Sequence, residues 1–510
     1  MHRSNHRNWV IGIIVFSLCA TVLQPARTAM AAEEAAKKST ESKSSDVWQV
    51  IYIGEQRIGY ARIRTRETKK DGKPILVTTN TMQLKLKRFG QTLNIQYNTR
   101  TEETKTGQLL NFEFEMRNPP AAPTISKGKI DGTRITIKTT IAGRTTSKRM
   151  AWDRSVKSPS YQDQLMKDPP FKPGDQRSFK TYVPELNQVT NVSLSALGYS
   201  KVELLDGKKH NLLKLKVTQS ILPSMTTYAF LDRTGESLKT EADFLGSKMI
   251  TYTVGQAAAL EELAGAELDI ATSTLVRMEK PLKQGHDSKR AVYKITISEE
   301  DAAKAFVNGG TQSVKVIDPE TVELTVTAIK IPASTRTGKI DPQYTANTKF
   351  LQIRDLAVVE HANRASAGEF NPGRIARRME KYVYEKIDNK NFSTALASAA
   401  EVAKSLEGDC TEHAVLLAAM LRAKKIPSKV AVGLVYVDRL GSFGGHMWTE
   451  AYLGGKWVPL DATLGLGGIG AGHIKMSESS FSDDAPSPVL AFLPLTNALG
   501  KIEIELIESE

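Results

Sequence analysis

The sequence predicts an α+β protein, in which a helix-and-sheet unit follows two antiparallel β-rich units. From Asp46 to about Val254, apolar and polar residues alternate with a period of two, as in VWQVIYIG and TRITIKTTI. This alternation is typical of antiparallel strands. After about residue 371, apolar residues recur at helical spacing instead, and the continuous apolar run KVAVGLVYV then indicates a central strand.

A chain of 510 residues is long enough for about three domains. Composition and periodicity divide it into six segments. We expect an export signal at 1–31, a flexible tether at 32–45, a β-rich domain at 46–255, a linker or short helix at 256–274, a small β-rich domain with a connector at 275–348, and an α+β domain at 349–510.

The first 31 residues have the pattern of an export signal. Arg3 and Arg7 precede an apolar stretch from Trp9 to Leu23, and the small-x-small sequence at 29–31 is typical of a cleavage site. We therefore expect a periplasmic or extracellular protein, with an uncleaved membrane anchor as the alternative. No later segment is apolar enough to span a membrane.

Removal of this signal would leave Cys410 as the only cysteine, so an intrachain disulfide is excluded. A lone thiol in an oxidising compartment is either buried in a core or used chemically. The formal net charge is +13, and the basic excess lies in residues 32–356 as single lysines and arginines. These side chains indicate solvated strand faces or attraction to an anionic cell surface, and no motif for nucleic acid is present.

Three helices are predicted before the apolar strand. The first starts at Pro372 with Asn371 as its cap, and the second spans roughly 394–406. The third starts after Asp409, which together with Glu412 forms a capping-box pattern. Cys410 would then lie in the first turn, where the helix dipole favours a thiolate.

A β-hairpin is predicted to bring a histidine and an aspartate together. If Gly454 and Gly455 form a two-residue turn, Trp448 lies opposite Asp461. His446 then lies on the same face as Asp461, as its diagonal neighbour, about 7–8 Å away at the backbone. With the cysteine upstream, this arrangement predicts a Cys-His-Asp triad of nucleophile, base and orienting acid.

Three stretches carry a resemblance to a known family: GDCTEHA, IPSKVAVG, and HMWTEAYLGGKWVPLDAT. Together they resemble the core of the transglutaminase-like superfamily over about residues 372–464. The resemblance implies a papain-like α+β core with Cys410 as nucleophile, His446 as base and Asp461 as orienting acid. It also implies a thioester intermediate that an amine or water resolves. Met447 and Ala462 depart mildly from the usual pattern.

The other motifs give weaker predictions of a functional site. The glycines Gly465, Gly467 and Gly470 match GxGxxG, but no helix is predicted after them, so we expect a loop and no nucleotide. Zinc at Cys410 and His413 would lack a second cysteine. We expect His413 to pack beside the nucleophile or face water. We expect His473 to be an ordinary surface histidine, with an approach to the cleft as the alternative. The second oxyanion donor stays unassigned.

The sequence therefore predicts an exported cysteine acyl-transfer enzyme that acts on peptide or protein amides, without a metal or cofactor. The cell envelope is a candidate partner. Whether water or an amine resolves the thioester stays open. The alternative is an envelope binding or scaffold protein with a catalytically silent domain, in which the β-rich region carries the function.

Overall fold

The computed structural model describes residues 44–262, 268–270, 274–332, 340–394, 396–484 and 488–510. The predicted export signal and the tether up to residue 43 lie outside these ranges. Parts of the predicted linker and of the connector also lie outside them. No helix in the described ranges is long and apolar enough to cross a membrane.

In the described part of the chain, fourteen antiparallel strands form one large sheet, as the alternating sequence predicts. They are β1 Ser44–Ile53, β2 Gln56–Lys70, β3 Lys73–Arg88, β4 Gln91–Thr104, β5 Leu109–Arg117, β6 Thr124–Asp131, β7 Arg134–Ile141, β8 Arg144–Ala151, β9 Gln176–Val183, β10 Gln188–Glu203, β11 Lys209–Gln219, β12 Leu222–Leu231, β13 Ser237–Phe244 and β14 Ser247–Val254. β1 pairs with β14 at the centre of the sheet. Asp71 and Gly72 form the turn between β2 and β3, and both have the positive φ that a two-residue hairpin turn requires.

The remaining strands build two smaller sheets. They are β15 Val276–Arg277, β16 Arg290–Ile297, β17 Gln312–Asp318, β18 Thr321–Thr327, β19 Ser428–Val437, β20 Ser442–Leu453, β21 Lys456–Leu460, β22 His473–Ser479 and β23 Ile502–Ser509. One sheet has the order β15-β20-β19-β22, with β21 paired to β20, so β19 is central as predicted. All ten residues of β19 are buried.

The other sheet has the order β17-β18-β16-β23. The last strand of the chain therefore completes the unit that we expected at 275–348, although the expected α+β domain extended to residue 510. Conversely, β15 lies in the segment expected to form the small β-rich unit, but it pairs with β20 of the other sheet. β23 covers an edge of β16 that would otherwise expose unpaired backbone groups, which explains why this distant segment is recruited.

Seven α-helices lie in the described residues. They are α1 Tyr161–Lys167, α2 Gln256–Leu260, α3 Leu356–Ser366, α4 Pro372–Lys386, α5 Ala399–Ser405, α6 Cys410–Ala423 and α7 Leu493–Ala498. α4 starts at Pro372 with the side chain of Asn371 as its cap, as predicted. α5 is shorter than the predicted 394–406, because a capping box of Ser398 and Glu401 starts it later.

One hydrophobic core extends through all three sheets. It includes Leu84 and Leu93 of the large sheet, Tyr293 of the small sheet, and Val415 of α6, all of which are buried. The large sheet therefore packs directly on the helical unit.

A buried ion pair joins the large sheet to the start of α6. Arg88, at the end of β3, is fully buried, and its guanidinium lies 2.6 Å from the carboxylate of Asp409. The same guanidinium donates to the carbonyl oxygen of Phe392 at 2.8 Å and to that of Thr394. A side chain of the large sheet thus holds both the loop before α5 and the capping residue of α6.

Neighbouring residues of the β3–β4 turn reinforce this contact. The Gln91 side chain donates to the Lys390 carbonyl oxygen at 3.1 Å and accepts from the Phe392 N–H at 2.7 Å. The rings of Phe89 and Phe392 lie 5.0 Å apart. The tip of this hairpin, residues 88–91, therefore fixes the loop that leads to the cysteine helix.

We expect Arg88→Met to lower the free energy of unfolding by about 3–5 kcal/mol, because Asp409 would stay buried without its partner. Chemical denaturation measures this loss. Lys180→Met is the matched control, since the Lys180–Asp153 pair at 3.0 Å is exposed and its removal should hardly change stability. Equal losses in the two variants would contradict a special role for the buried pair.

Candidate active site

The helix that carries Cys410 begins as the sequence predicts. The Asp409 side chain accepts the Thr411 N–H at 2.8 Å, and the Glu412 side chain accepts the Asp409 N–H at 3.0 Å. The Asp409 side chain also accepts the Glu412 N–H, which together with the bond from Asp409 to Glu412 completes the capping box. Cys410 is therefore the first residue of α6, and only 1% of its surface is exposed.

Burial changes the electrostatics expected for this thiol. It raises the pKa of Cys410 well above its ordinary value, and the neighbouring Asp409 carboxylate acts in the same direction. The Met447 N–H, which lies 3.4 Å from Sγ, opposes this shift by donating to the sulfur. Burial therefore outweighs the effect of the helix start, which we expected to favour a thiolate. The thiol needs a base.

The β20–β21 hairpin has the predicted register. Gly454 and Gly455 form the turn with positive φ, and Leu453 pairs with Lys456. Asp461 directly follows β21, and its Oδ2 lies 2.8 Å from Nε2 of His446. Local hairpin geometry thus brings the imidazole and the carboxylate into hydrogen-bond contact.

The same strand also meets the cysteine helix. The bond from Met447 places Cys410 Sγ beside the strand position that follows His446. Two residues further on, the Thr449 hydroxyl donates to the carbonyl oxygen of Ala414 in α6 at 2.9 Å. β20 and α6 therefore bring all three predicted site residues, Cys410, His446 and Asp461, into one buried region.

Asp461 is fully buried and accepts several hydrogen bonds. Its carboxylate takes the contacts from His446 and from His473 Nε2 at 3.0 Å, and the Thr463 N–H at 2.9 Å. Burial alone would raise the pKa of Asp461, but the two imidazoles together hold it well below its usual range. This residue is therefore the stable negative charge of the site.

His473 is buried, with 1% of its surface exposed, so the expectation of an ordinary surface histidine is wrong and the alternative, an approach to the cleft, describes its position. It starts β22 and pairs with Val435 of β19, which carries its ring to Asp461. Burial lowers the pKa of His473 to about 4, against the opposing effect of Asp461. Its ring also lies 5.3 Å from that of Trp448. The register of the β20–β21 hairpin could not predict this contact, because His473 lies on a separate strand.

Glu380 of α4 is a residue that the sequence did not indicate. It is fully buried and accepts the backbone N–H groups of Asp461 at 2.9 Å and Gly468 at 3.1 Å. Burial raises the pKa of Glu380 to about 8 although both N–H groups oppose this. Glu380 thus ties the glycine loop to the strand end that carries Asp461. The loop leads directly into β22, and no helix begins at its end, as predicted.

His413 packs beside the nucleophile, which is one of the two expected placements. Its Nδ1 bonds to the Asp409 carbonyl oxygen, and its Nε2 lies 3.0 Å from the Lys390 ammonium. Burial, followed by the Lys390 charge, lowers the pKa of His413 to about 3, so the ring is neutral. The sequence did not single out Lys390, which lies in the loop held by the large sheet.

The ligand atoms of His446, Asp461 and His473 lie within 4.8 Å of one another. Two imidazoles and a carboxylate are a donor set that divalent transition metals accept. Both imidazoles contact the same carboxylate oxygen at hydrogen-bond distance.

The model of the transglutaminase-like superfamily matches residues 360–462. These residues form a transglutaminase-like domain at the C-terminal side of a protein with large antiparallel sheets. No curated protein matches the chain.

Several solved structures share part of the fold. A protein described as a proposed cysteine protease from Cytophaga hutchinsonii has 16% identity and a TM-score of 0.28, over 44% of this chain and 85% of that one. A β-barrel-like protein from Brucella abortus, of domain of unknown function DUF1849, has 10% identity and a TM-score of 0.30, over 41% and 96%. The periplasmic domain of TgpA from Pseudomonas aeruginosa has 11% identity and a TM-score of 0.21, over 35% and 91%. These values describe partial similarity of structure only.

The low pKa of His473 makes its stabilising effect depend on pH. An unfolded histidine binds a proton near pH 6.5, whereas the folded one resists protonation down to about pH 4. Its contribution is therefore complete above pH 6.5 and is lost as the pH falls towards 4. The stability difference between wild type and His473→Gln should shrink over this window by on the order of 2–3 kcal/mol. Parallel pH profiles of unfolding free energy would contradict this prediction.

Proposed function

We propose that the protein is an exported cysteine acyl-transfer enzyme, which forms a thioester at Cys410 with peptide or protein amides. His446 is the general base and Asp461 orients it. The observation that carries the proposal is the placement of His446 between its two partners. His446 contacts the buried Asp461, and the next residue of the same strand, Met447, donates its N–H to Cys410 Sγ. The export part rests on the pattern of residues 1–31.

The proposed reaction begins with transfer of the Cys410 proton to His446. The thiolate attacks the amide carbon, and the resulting oxyanion faces the Cys410 backbone N–H, which has no acceptor within the helix because it belongs to the first residue. His446 then returns its proton to the leaving amine as the C–N bond breaks, which leaves a thioester. Asp461 holds the His446 tautomer and stabilises the imidazolium during both transfers.

The second half of the reaction has two candidate acceptors. Water attacking the thioester yields a carboxylic acid, as in a protease or amidase. A primary amine yields a new amide, as in a transglutaminase. In both cases His446 takes a proton from the acceptor, and Cys410 leaves as the thiol.

A silent domain is the competing function, and burial favours it. Cys410 and His446 are each only 1% exposed, and Asp461 is fully buried. A substrate can reach Sγ only if the site opens. If it never opens, the fourteen-stranded sheet would carry the function as an envelope binding or scaffold protein.

Thiol alkylation separates these two proposals. We expect iodoacetamide to modify Cys410 in the native protein near neutral pH. His446→Ala should slow this by about 100-fold or more, because burial makes the thiol dependent on its base. The control is His210→Ala in the large sheet, which should leave the rate unchanged. Labelling only after denaturation would favour the silent domain.

Products identify the reaction. The protein is incubated with a peptide library, with and without a primary amine, and the products are read by mass spectrometry. Cleaved or deamidated peptides indicate water as the acceptor, and amine adducts indicate transfer. Cys410→Ala should remove every product. The same products from this variant would show that the nucleophile is assigned wrongly.

A further inference from the structure

Lys390 is a half-buried lysine beside the nucleophile. Its backbone carbonyl is held by Gln91 of the large sheet at 3.1 Å, and its ammonium lies 3.0 Å from His413 Nε2 and 3.4 Å from the Ile387 carbonyl oxygen. An ammonium has three protons, so these two acceptors account for two of them.

No carboxylate within the described residues forms an ion pair with Lys390. The nearest buried acids are already engaged, Asp409 by Arg88 at 2.6 Å and Asp461 by two imidazoles. Burial lowers the pKa of Lys390, while the charges of Asp461, Asp409 and Cys410 act against that shift. The fold thus keeps a lysine in this place without a salt bridge of its own.

Lys390 also lies near the start of α6. A helix N-terminus carries partial positive charge, and it stabilises anions there. His413, which Lys390 contacts, is three residues after Cys410 and therefore lies on the same face of α6. The ammonium thus lies on the side of α6 that carries the thiol.

We propose that Lys390 forms an anion-binding subsite beside Cys410, and that the site takes an acyl donor with a carboxylate next to the attacked amide. This substrate class, an acidic peptide, rests on the proposed function of Cys410. The bound carboxylate would accept the remaining ammonium proton.

The different exposures of Cys410 and Lys390 favour a substrate carboxylate over the oxyanion as the ligand of Lys390. The oxyanion forms on the carbon bonded to the buried Sγ, whereas Lys390 is half-buried and reaches solvent. A group on the outer part of the donor can therefore meet the ammonium while the carbonyl lies at Cys410.

A pair of alkylating reagents tests the subsite without a known substrate. Iodoacetate carries a carboxylate, and iodoacetamide is its neutral analogue. We expect Lys390→Met to lower the ratio of their rate constants at Cys410 by roughly five- to tenfold, through loss of one favourable charge contact. Lys390→Arg should retain most of the ratio. Lys381→Met, at a lysine with 71% of its side chain exposed, is the matched control and should not change it.

The outcomes separate the two proposals. If neither reagent labels native wild-type Cys410, the proposed function and this subsite both fail. If both reagents label the wild type and the ratio is the same in Lys390→Met, the subsite alone is overturned. Equal slowing of both reagents in that variant would also overturn it, since this would indicate support of the thiolate instead of anion binding.

Peptides then distinguish the source of the carboxylate. In one series, the residue beside the reactive amide has either an acidic or a neutral side chain. In the other series, the peptide has either a free or an amidated C-terminus. Lys390→Met should raise KM for the acidic donor of one series about tenfold, with kcat nearly unchanged. A loss of the same size for neutral donors would overturn the proposal.

Discussion

The buried pair of Arg88 and Asp409 is the interaction on which the rest of the structure depends. Asp409 caps α6, and its carboxylate is fully buried against the Arg88 guanidinium at 2.6 Å. A buried charge needs a partner, and the partner comes from the large sheet, more than 300 residues away in sequence. The same guanidinium bonds to the loop that carries Lys390. The large sheet is therefore part of the framework of the site, in addition to any binding function.

Around this pair, the site keeps few groups charged. Burial raises the pKa of Glu380 and of Glu412 to about 8, so both are mainly neutral near pH 7, and each accepts backbone N–H groups. Asp461 is different because two imidazoles face it and hold its pKa low. The lasting negative charge is thus concentrated at the carboxylate that contacts His446, where it can stabilise an imidazolium.

This arrangement has consequences for the proposed chemistry. A thiol that burial keeps protonated is protected in an oxidising compartment, and it becomes nucleophilic only when His446 takes its proton. The Lys390 ammonium, near the helix start, would accept the carboxylate of an anionic donor beside that thiol. The two halves of the chain contribute different parts of the site. The large sheet holds Lys390 in place, and the β20–β21 hairpin supplies the base, His446.

The sequence by itself determined the features that depend on short-range rules. The capping box at Asp409, the glycine turn of the hairpin and the contact of His446 with Asp461 follow from helix capping and strand alternation, which act over a few residues. Only the tertiary structure decided that Arg88, Glu380, Lys390 and His473 join this region, and that β23 crosses to the smaller sheet. These residues belong to elements that are distant in sequence, and the hydrophobic periodicity of one segment does not indicate which distant elements pack against it. Burial, which governs the pKa of Cys410, likewise exists only once the sheets and helices have packed.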